Sequence, residues 1–134
     1  MTAIVVDASA LAAFILREEG WRELAKHLAH AVSPEHVVKE VANAIWRATR
    51  LRGFLSEEEA WKAYALLRRM VGRNLLLEPE LRYLDKALEI SMEQGITVYD
   101  ALYLALALEK GLPLLTLDEG QRRAAEALGI PVKP

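Results

Sequence analysis

The chain has 134 residues, 53% hydrophobic and 27% charged, with a formal net charge of -2 and no cysteine. This composition suits a globular domain and excludes a disordered or fibrous chain, a disulfide framework and a thiolate metal site or nucleophile. The slightly acidic balance also excludes a globally basic nucleic-acid binder, so any such contact has to come from a local patch.

Ala3-Ile4-Val5-Val6 is a short run rich in β-branched residues that ends at Asp7, the pattern of a strand buried on both faces of a parallel sheet. Ser9 reads as the cap of a helix over Ala10 to Leu16, and a second helical stretch runs from Trp21 to His30. Ala31-Val32-Ser33 is a second strand, and Pro34 is placed to open the next helix. On that helix Val37, Val41, Ala44, Ile45 and Ala48 form an apolar stripe. Glu40, Asn43 and Arg47 line one edge of it.

Ser56 and Glu59 make a capping box that opens a helix carrying Trp61, Tyr64, Leu67 and Met70. Leu75-Leu76-Leu77 is a third strand, and Pro79-Glu80 starts a helix expected to face Leu81, Leu84 and Leu88 inward. Gly95 and Thr97 then introduce Val98 to Lys110, a helix apolar almost all round and therefore buried on most of its surface. Gly111 ends it, Leu114-Leu115-Thr116 is a fourth strand, Glu119 to Leu128 the last helix, and Ile130 to Val132 an edge strand. Short apolar strands alternating with helices indicate one α/β domain over residues 1–134, with a parallel sheet covered on both faces. No apolar run approaches the roughly 18 residues of a membrane span, and no signal peptide is seen, so a cytoplasmic location is expected.

The four aspartates are Asp7, Asp85, Asp100 and Asp118. Asp7 ends a strand, Asp118 follows one, and Asp100 lies in the first turn of the buried helix. In an open parallel sheet, ligands gather outside the carboxyl ends of the strands, where strand order reverses. Glu40, near the start of the helix after the second strand, belongs to the same edge. Gathered carboxylates repel unless a cation joins them: two unit charges about 4 Å apart repel by roughly 4 kcal/mol at an effective dielectric of about 20. Hard oxygen ligands without His or Cys select Mg²⁺ or Mn²⁺, which suit two-metal phosphodiester hydrolysis. Each acid also has a purely structural role open to it. Asp7 or Ser9 can cap the first helix, with Ser9 the better cap; Thr97 and Asp100 can cap reciprocally; Asp118 can cap the last helix; Glu40 can be a solvated helix residue.

Val5-Val6-Asp7-Ala8-Ser9, Glu40-Val41-Ala42-Asn43-Ala44, Tyr99-Asp100-Ala101-Leu102-Tyr103-Leu104-Ala105 and Leu115-Thr116-Leu117-Asp118 together resemble the successive motifs of PIN domains. The short format is similar to the VapC-like toxins of type II toxin–antitoxin pairs. The resemblance spans essentially the whole chain. It implies a Rossmann-like three-layer α/β/α fold of strand order 3-2-1-4-5, with a helical hairpin inserted at about 51–73. It further implies Mg²⁺- or Mn²⁺-dependent cleavage of RNA, with Asp7, Glu40, Asp100 and Asp118 as the acidic metal ligands. Ser9 and Thr116 would be polar neighbours of that site, and Asn43 a supporting residue one helical turn from Glu40. A small antitoxin inserting into the acidic edge and a homodimer also follow from the resemblance. Many relatives place a basic residue and then an aromatic after the last aspartate, whereas this chain has Glu119, Gly120 and Gln121. Glu119 is thus a candidate to substitute for Asp118 or assist it.

Arg47 shares an edge with Glu40 and is placed to meet a substrate phosphate. Arg50 belongs to the same basic cluster and is a second RNA-binding candidate. His36 precedes Glu40 by four residues but is expected at the surface, because no third nitrogen ligand accompanies it. Trp46 and Trp61 are expected in core or subunit packing. Two readings follow: a metal-dependent endoribonuclease, or a housekeeping RNA- or DNA-processing nuclease with the same site; and a non-catalytic partner-binding module whose acids only cap helices, with an apolar interface between Phe54 and Met70.

Overall fold

Residues 3–134 are described by the structure, a computed structural model. The elements in chain order are β1 (Ile4–Val6), α1 (Ala8–Ile15), α2 (Trp21–Ala25), β2 (Ala31–Pro34), α3 (Val37–Trp46), α4 (Glu57–Met70), β3 (Leu75–Glu78), α5 (Leu84–Gln94), α6 (Val98–Lys110), β4 (Leu114–Leu115), α7 (Glu119–Ala127) and β5 (Val132–Lys133). The five strands form one parallel sheet in the expected order β3-β2-β1-β4-β5. Val5 and Val6 stand opposite Leu114 and Leu115 on one side, while Ile4 and Val5 stand opposite Ala31 and Val32 on the other. The order therefore reverses beside β1, and the C-terminal ends of β1 and β4 lie next to each other.

That reversal sorts the helices. Right-handed crossovers running outward from β1 to β3 and then back to β4 place their helices on opposite faces. Accordingly α1 packs against α2, α3 and α4, whereas α6 crosses β1, β2 and β4 and is covered by α5. Seven consecutive residues of α6, Ala101 to Ala107, are buried, because both the sheet and α5 pack against it. Gly95 and Gly111, in the left-handed conformation at φ 69° and 65°, end α5 and α6 and let both chain turns be tight. The capping box at Ser56 and Glu59 is present, and α4 forms a hairpin with α3 and its π-helical extension Arg47–Leu51.

Four expectations are corrected. The helix from Trp21 stops at Ala25 rather than His30; the chain tightens into i→i+3 turns (His27 N–H to Leu24 C=O, 3.0 Å; Leu28 N–H to Ala25 C=O, 3.2 Å) that carry Leu28 into the core. Pro34 ends β2 instead of opening α3, which begins at Val37. Most consequentially, Leu81, Leu84 and Leu88 face outward, and Tyr83, Ala87 and Ile90 are the buried residues. A 3₁₀ turn over Glu80–Tyr83 precedes α5, and small Ala87 allows α5 to lie close along α6. Trp46 and Trp61 are also exposed, at 51% and 64%, so core packing is excluded for both.

Candidate active site

β1 delivers Asp7 to the point of strand reversal, buried at 4% exposure. Its Oδ1 accepts from the Ala10 N–H (3.1 Å) and from the Ser9 hydroxyl (2.6 Å), and its Oδ2 accepts from the Thr116 hydroxyl. Asp7, not Ser9, is therefore the cap of α1. Ser9 sits inside the first turn and spends its hydroxyl on Asp7, while accepting from the Leu117 N–H at 2.9 Å. Thr116 Oγ1 in turn accepts from the Asp118 N–H at 3.1 Å. The ends of β1 and β4 are thus laced together through the two expected polar neighbours, Ser9 and Thr116.

The other acids come from three helices. Asp100 lies in the first turn of α6, whose cap is Thr97 Oγ1, accepting from the Asp100 N–H at 3.2 Å. Asp118 caps α7 through Oδ2, which accepts from the Gln121 N–H at 2.8 Å. Glu40 on α3 accepts at Oε1 from the Tyr103 hydroxyl at 2.7 Å. Asp7, Glu40, Asp100 and Asp118 all line one pocket of about 250 Å³, together with Ser9, Arg47 and Tyr103. Capping and pocket-lining are therefore not alternatives for Asp7 and Asp118: one carboxylate does both.

The electrostatics follow from this crowding. Burial pushes the Asp7 carboxyl up to about 6, with the Asp118 charge adding to it and the Ser9 and Thr116 hydroxyls opposing it. Asp100 is raised by burial and then by the Glu40 and Asp118 charges. Glu40 is held low: burial works against its charge, but His36, Tyr103 and Arg47 outweigh it. Tyr103, raised by burial and by the Glu40 charge, remains a phenol and hence a permanent donor.

A consequence concerns Thr116. Thr116→Val removes a donor to a buried carboxylate while keeping the side-chain shape. It should lower stability by about 1–3 kcal/mol at pH 8 and by less at pH 4.5, where Asp7 is protonated. Urea unfolding at the two pH values checks this, and an equal loss at both would refute it.

The family assignment is decided at full length. A family model described as PIN domain matches residues 4–127. The chain belongs to the PIN-domain family. Ribonuclease VapC3 of Pyrobaculum aerophilum is 36% identical to this PIN domain over 141 aligned residues, which take in 98% of each chain. Exonuclease VapC9 of the same organism is 32% identical over 116 residues, 85% of this chain and 79% of the relative. Among solved structures, PAE2754 from Pyrobaculum aerophilum has a TM-score of 0.75 at 26% identity, covering 98% of this chain and 83% of that one.

Not every expected residue reaches the pocket of this PIN domain. Asn43 is exposed and lies outside it. Arg50 pairs with Glu57 at 3.1 Å and lines a different, apolar cleft of about 410 Å³ with Ile45, Trp46, Trp61 and Tyr64. Glu119 is exposed and outside the pocket, whereas Gly120, where a Cβ would come within 3.3 Å of Asp118 Oδ2, leaves that carboxylate room. His36 is not at the surface. It is 5% exposed, against Tyr103 and Tyr99 with ring centroids 4.8 and 5.8 Å away, and Nε2 is 3.0 Å from Glu40 Oε1. Tyr103 and Gln121 are further site residues. Gln121 is buried and donates from Nε2 to the Asp100 C=O at 3.0 Å, tying α7 to α6. The signal for Tyr103 was its spacing, one turn beyond Asp100 on the same helix.

The residues fit a hard divalent cation by donor chemistry. Four carboxylates supply only oxygen, and Asp7 and Asp100 are each raised partly by a neighbouring carboxylate, a repulsion that a cation would reverse. Among the described residues no three acidic or histidine side chains already stand as a chelating set. Several of their oxygens instead accept from protein donors: Asp7 from Ser9 and Thr116, Glu40 from Tyr103, and Asp118 from Gln121. No helix among the described residues is long and apolar enough to cross a membrane.

Proposed function

We propose that this PIN domain is a Mg²⁺- or Mn²⁺-dependent endoribonuclease, the toxin of a toxin–antitoxin pair acting in the cytoplasm. The observation that carries the reading is the meeting of four acids, from four separate elements, in a single pocket at the strand reversal. Asp7, Glu40 and Asp100 would hold the ions, with Asp118 assisting. Bound there, the cation supplies Lewis-acid chemistry, acidifying the attacking water and neutralising charge on the departing oxygen.

The protein's own residues do the rest. The hydroxyls of Ser9 and Thr116 keep Asp7 oriented, and the cap at Thr97 sets the first turn of α6 so that Asp100 is presented from a rigid helix. Arg47, the basic residue lining the pocket, contacts a scissile or flanking phosphate. Arg47→Ala should therefore lower kcat/KM by about tenfold or more, as expected for losing a hydrogen bond to a charged group. An unchanged kcat/KM would remove Arg47 from the mechanism.

The names of the two relatives, a ribonuclease and an exonuclease, both support phosphodiester hydrolysis, and only the second states a mode, so endo- and exonucleolytic cleavage are the two modes to separate. A circular single-stranded RNA separates them, because only an endonuclease opens it. Cleavage with Mn²⁺ and none with EDTA is the expected result. Intact circles beside digested linear RNA would favour an exonuclease, and no cleavage of either would favour the partner-binding module.

The antitoxin would insert into the acidic pocket, and the apolar cleft between α3 and α4, rimmed by Trp46 and Trp61, offers it a further surface. The homodimer is supported by the exposed stripe Leu81, Leu84, Leu88 and Met92. A sedimentation run at micromolar concentration that yields only the 15.0 kDa monomer mass would discard the dimer.

A further inference from the structure

Glu40 differs from the other acids in how its two oxygens are used. Oε1 accepts from the Tyr103 hydroxyl at 2.7 Å, and His36 Nε2 lies 3.0 Å from the same atom, a charge contact without hydrogen-bond geometry. Among the described residues none is seen donating to Oε2. The two groups around Oε1 are rigidly kept. Tyr103 is 1% exposed in the buried stretch of α6, and His36 is packed against its ring. On its other side His36 Nδ1 lies 3.3 Å from Glu80 Oε1, at the start of the turn after β3, again as a charge contact rather than a hydrogen bond. A line of contacts, Glu80 to His36 to Glu40 to Tyr103, therefore ties the C-terminal end of β3 and the buried helix α6 to one carboxylate oxygen.

We propose that His36 and Tyr103 are positioning residues that jointly hold Oε1 of Glu40, so that Glu40 offers a divalent cation a single oxygen, Oε2, in a fixed orientation. The inference rests on the metal-site reading given above and deepens it. Partners that orient a ligand without touching the metal contribute substantially to affinity: their loss commonly weakens binding by about 10–100-fold. Tyr103 and His36 differ in how they can be tested. Phe in place of Tyr103 removes one oxygen and nothing else. Gln in place of His36 retains an N–H donor, whereas Leu does not.

Isothermal titration with Mn²⁺ alone, on purified protein, is the experiment. Wild type should bind. Tyr103→Phe and His36→Leu should each weaken the dissociation constant by about tenfold or more, and His36→Gln should recover part of the loss. In a Glu40→Gln background, Tyr103→Phe should have no further effect on Mn²⁺ affinity, because its action runs through Glu40. Wild-type-like affinity in Tyr103→Phe would overturn the positioning role and leave both residues as packing alone, even if His36→Leu failed to fold. Equal further loss in the Glu40→Gln background would likewise overturn it. Absence of binding by wild type would instead overturn the metal-site reading, and this inference with it.

Discussion

Asp7→Asn should abolish RNA cleavage and, in the absence of metal, make the protein harder to unfold. Loss of activity follows from removing the most buried carboxylate that lines the pocket. The gain in stability follows from linkage. The folded-state pKa of Asp7, about 6, lies above its ordinary value of 3.8. Between about pH 4 and 6 the folded state therefore binds more protons than the unfolded state, and stability falls as pH rises through that window. Above it the buried charge costs up to about 3 kcal/mol, from roughly two pH units at 1.36 kcal/mol each. Asparagine carries no charge and remains a good helix cap, so the bond to the Ala10 N–H is retained. In EDTA at pH 8 the variant should be more stable by about 1–3 kcal/mol, with the gain vanishing near pH 4. Urea unfolding across pH measures it. A variant less stable than wild type at pH 8 would mean that Asp7 serves the fold rather than a cation.

Leu104→Ala should have the opposite signature, a large loss of stability with the site chemistry retained. Leu104 is fully buried on α6 between sheet and α5. Truncating such a leucine typically costs about 2–5 kcal/mol, with the upper part reached where neighbours cannot collapse into the void. Leu104 is buried completely on a helix packed by both the sheet and α5, so the upper part of that range is expected. Asp100 and Tyr103 stay on the same helix. The protein that does fold should therefore still gain melting temperature with Mn²⁺. A loss under about 1 kcal/mol, below the usual range for a core leucine, would show that α6 is not the rigid wall described.

The contrast between these two variants mirrors what could and could not be read in the chain. Asp7, Asp100 and Asp118 were legible because each sits at a break in pattern, a strand end or a helix start, and such breaks converge in a parallel sheet. Pairing partners were not, because the Tyr103 hydroxyl meets Glu40 across 63 residues of sequence and no local period records that contact. Its place one turn beyond Asp100 marks Tyr103 as a neighbour of the site but does not name the residue it bonds. Asn43 was misplaced by too coarse a view of helical phase. At about 100° per residue, position 47 returns to within roughly 20° of Glu40, whereas position 43 lies roughly 60° away, towards solvent. Arg47 consequently lines the pocket and Asn43 does not. The helix α5 carries two apolar stripes about 100° apart, and the leucine-rich one looked inward by composition. Packing chose the other, because Ala87 permits the closer approach to α6. His36 was assigned to the surface since one histidine and one glutamate do not make a metal site. Its second carboxylate, Glu80, comes from beyond β3 and is invisible at that range.

Crystals grown with Mn²⁺ and measured at an energy where manganese scatters anomalously test the central claim most directly. Density for at least one ion in contact with Asp7, Glu40 or Asp100, inside the pocket at the β1–β4 junction, is the predicted result. A map without a peak there at saturating Mn²⁺, or with manganese only at other acidic side chains, would contradict it.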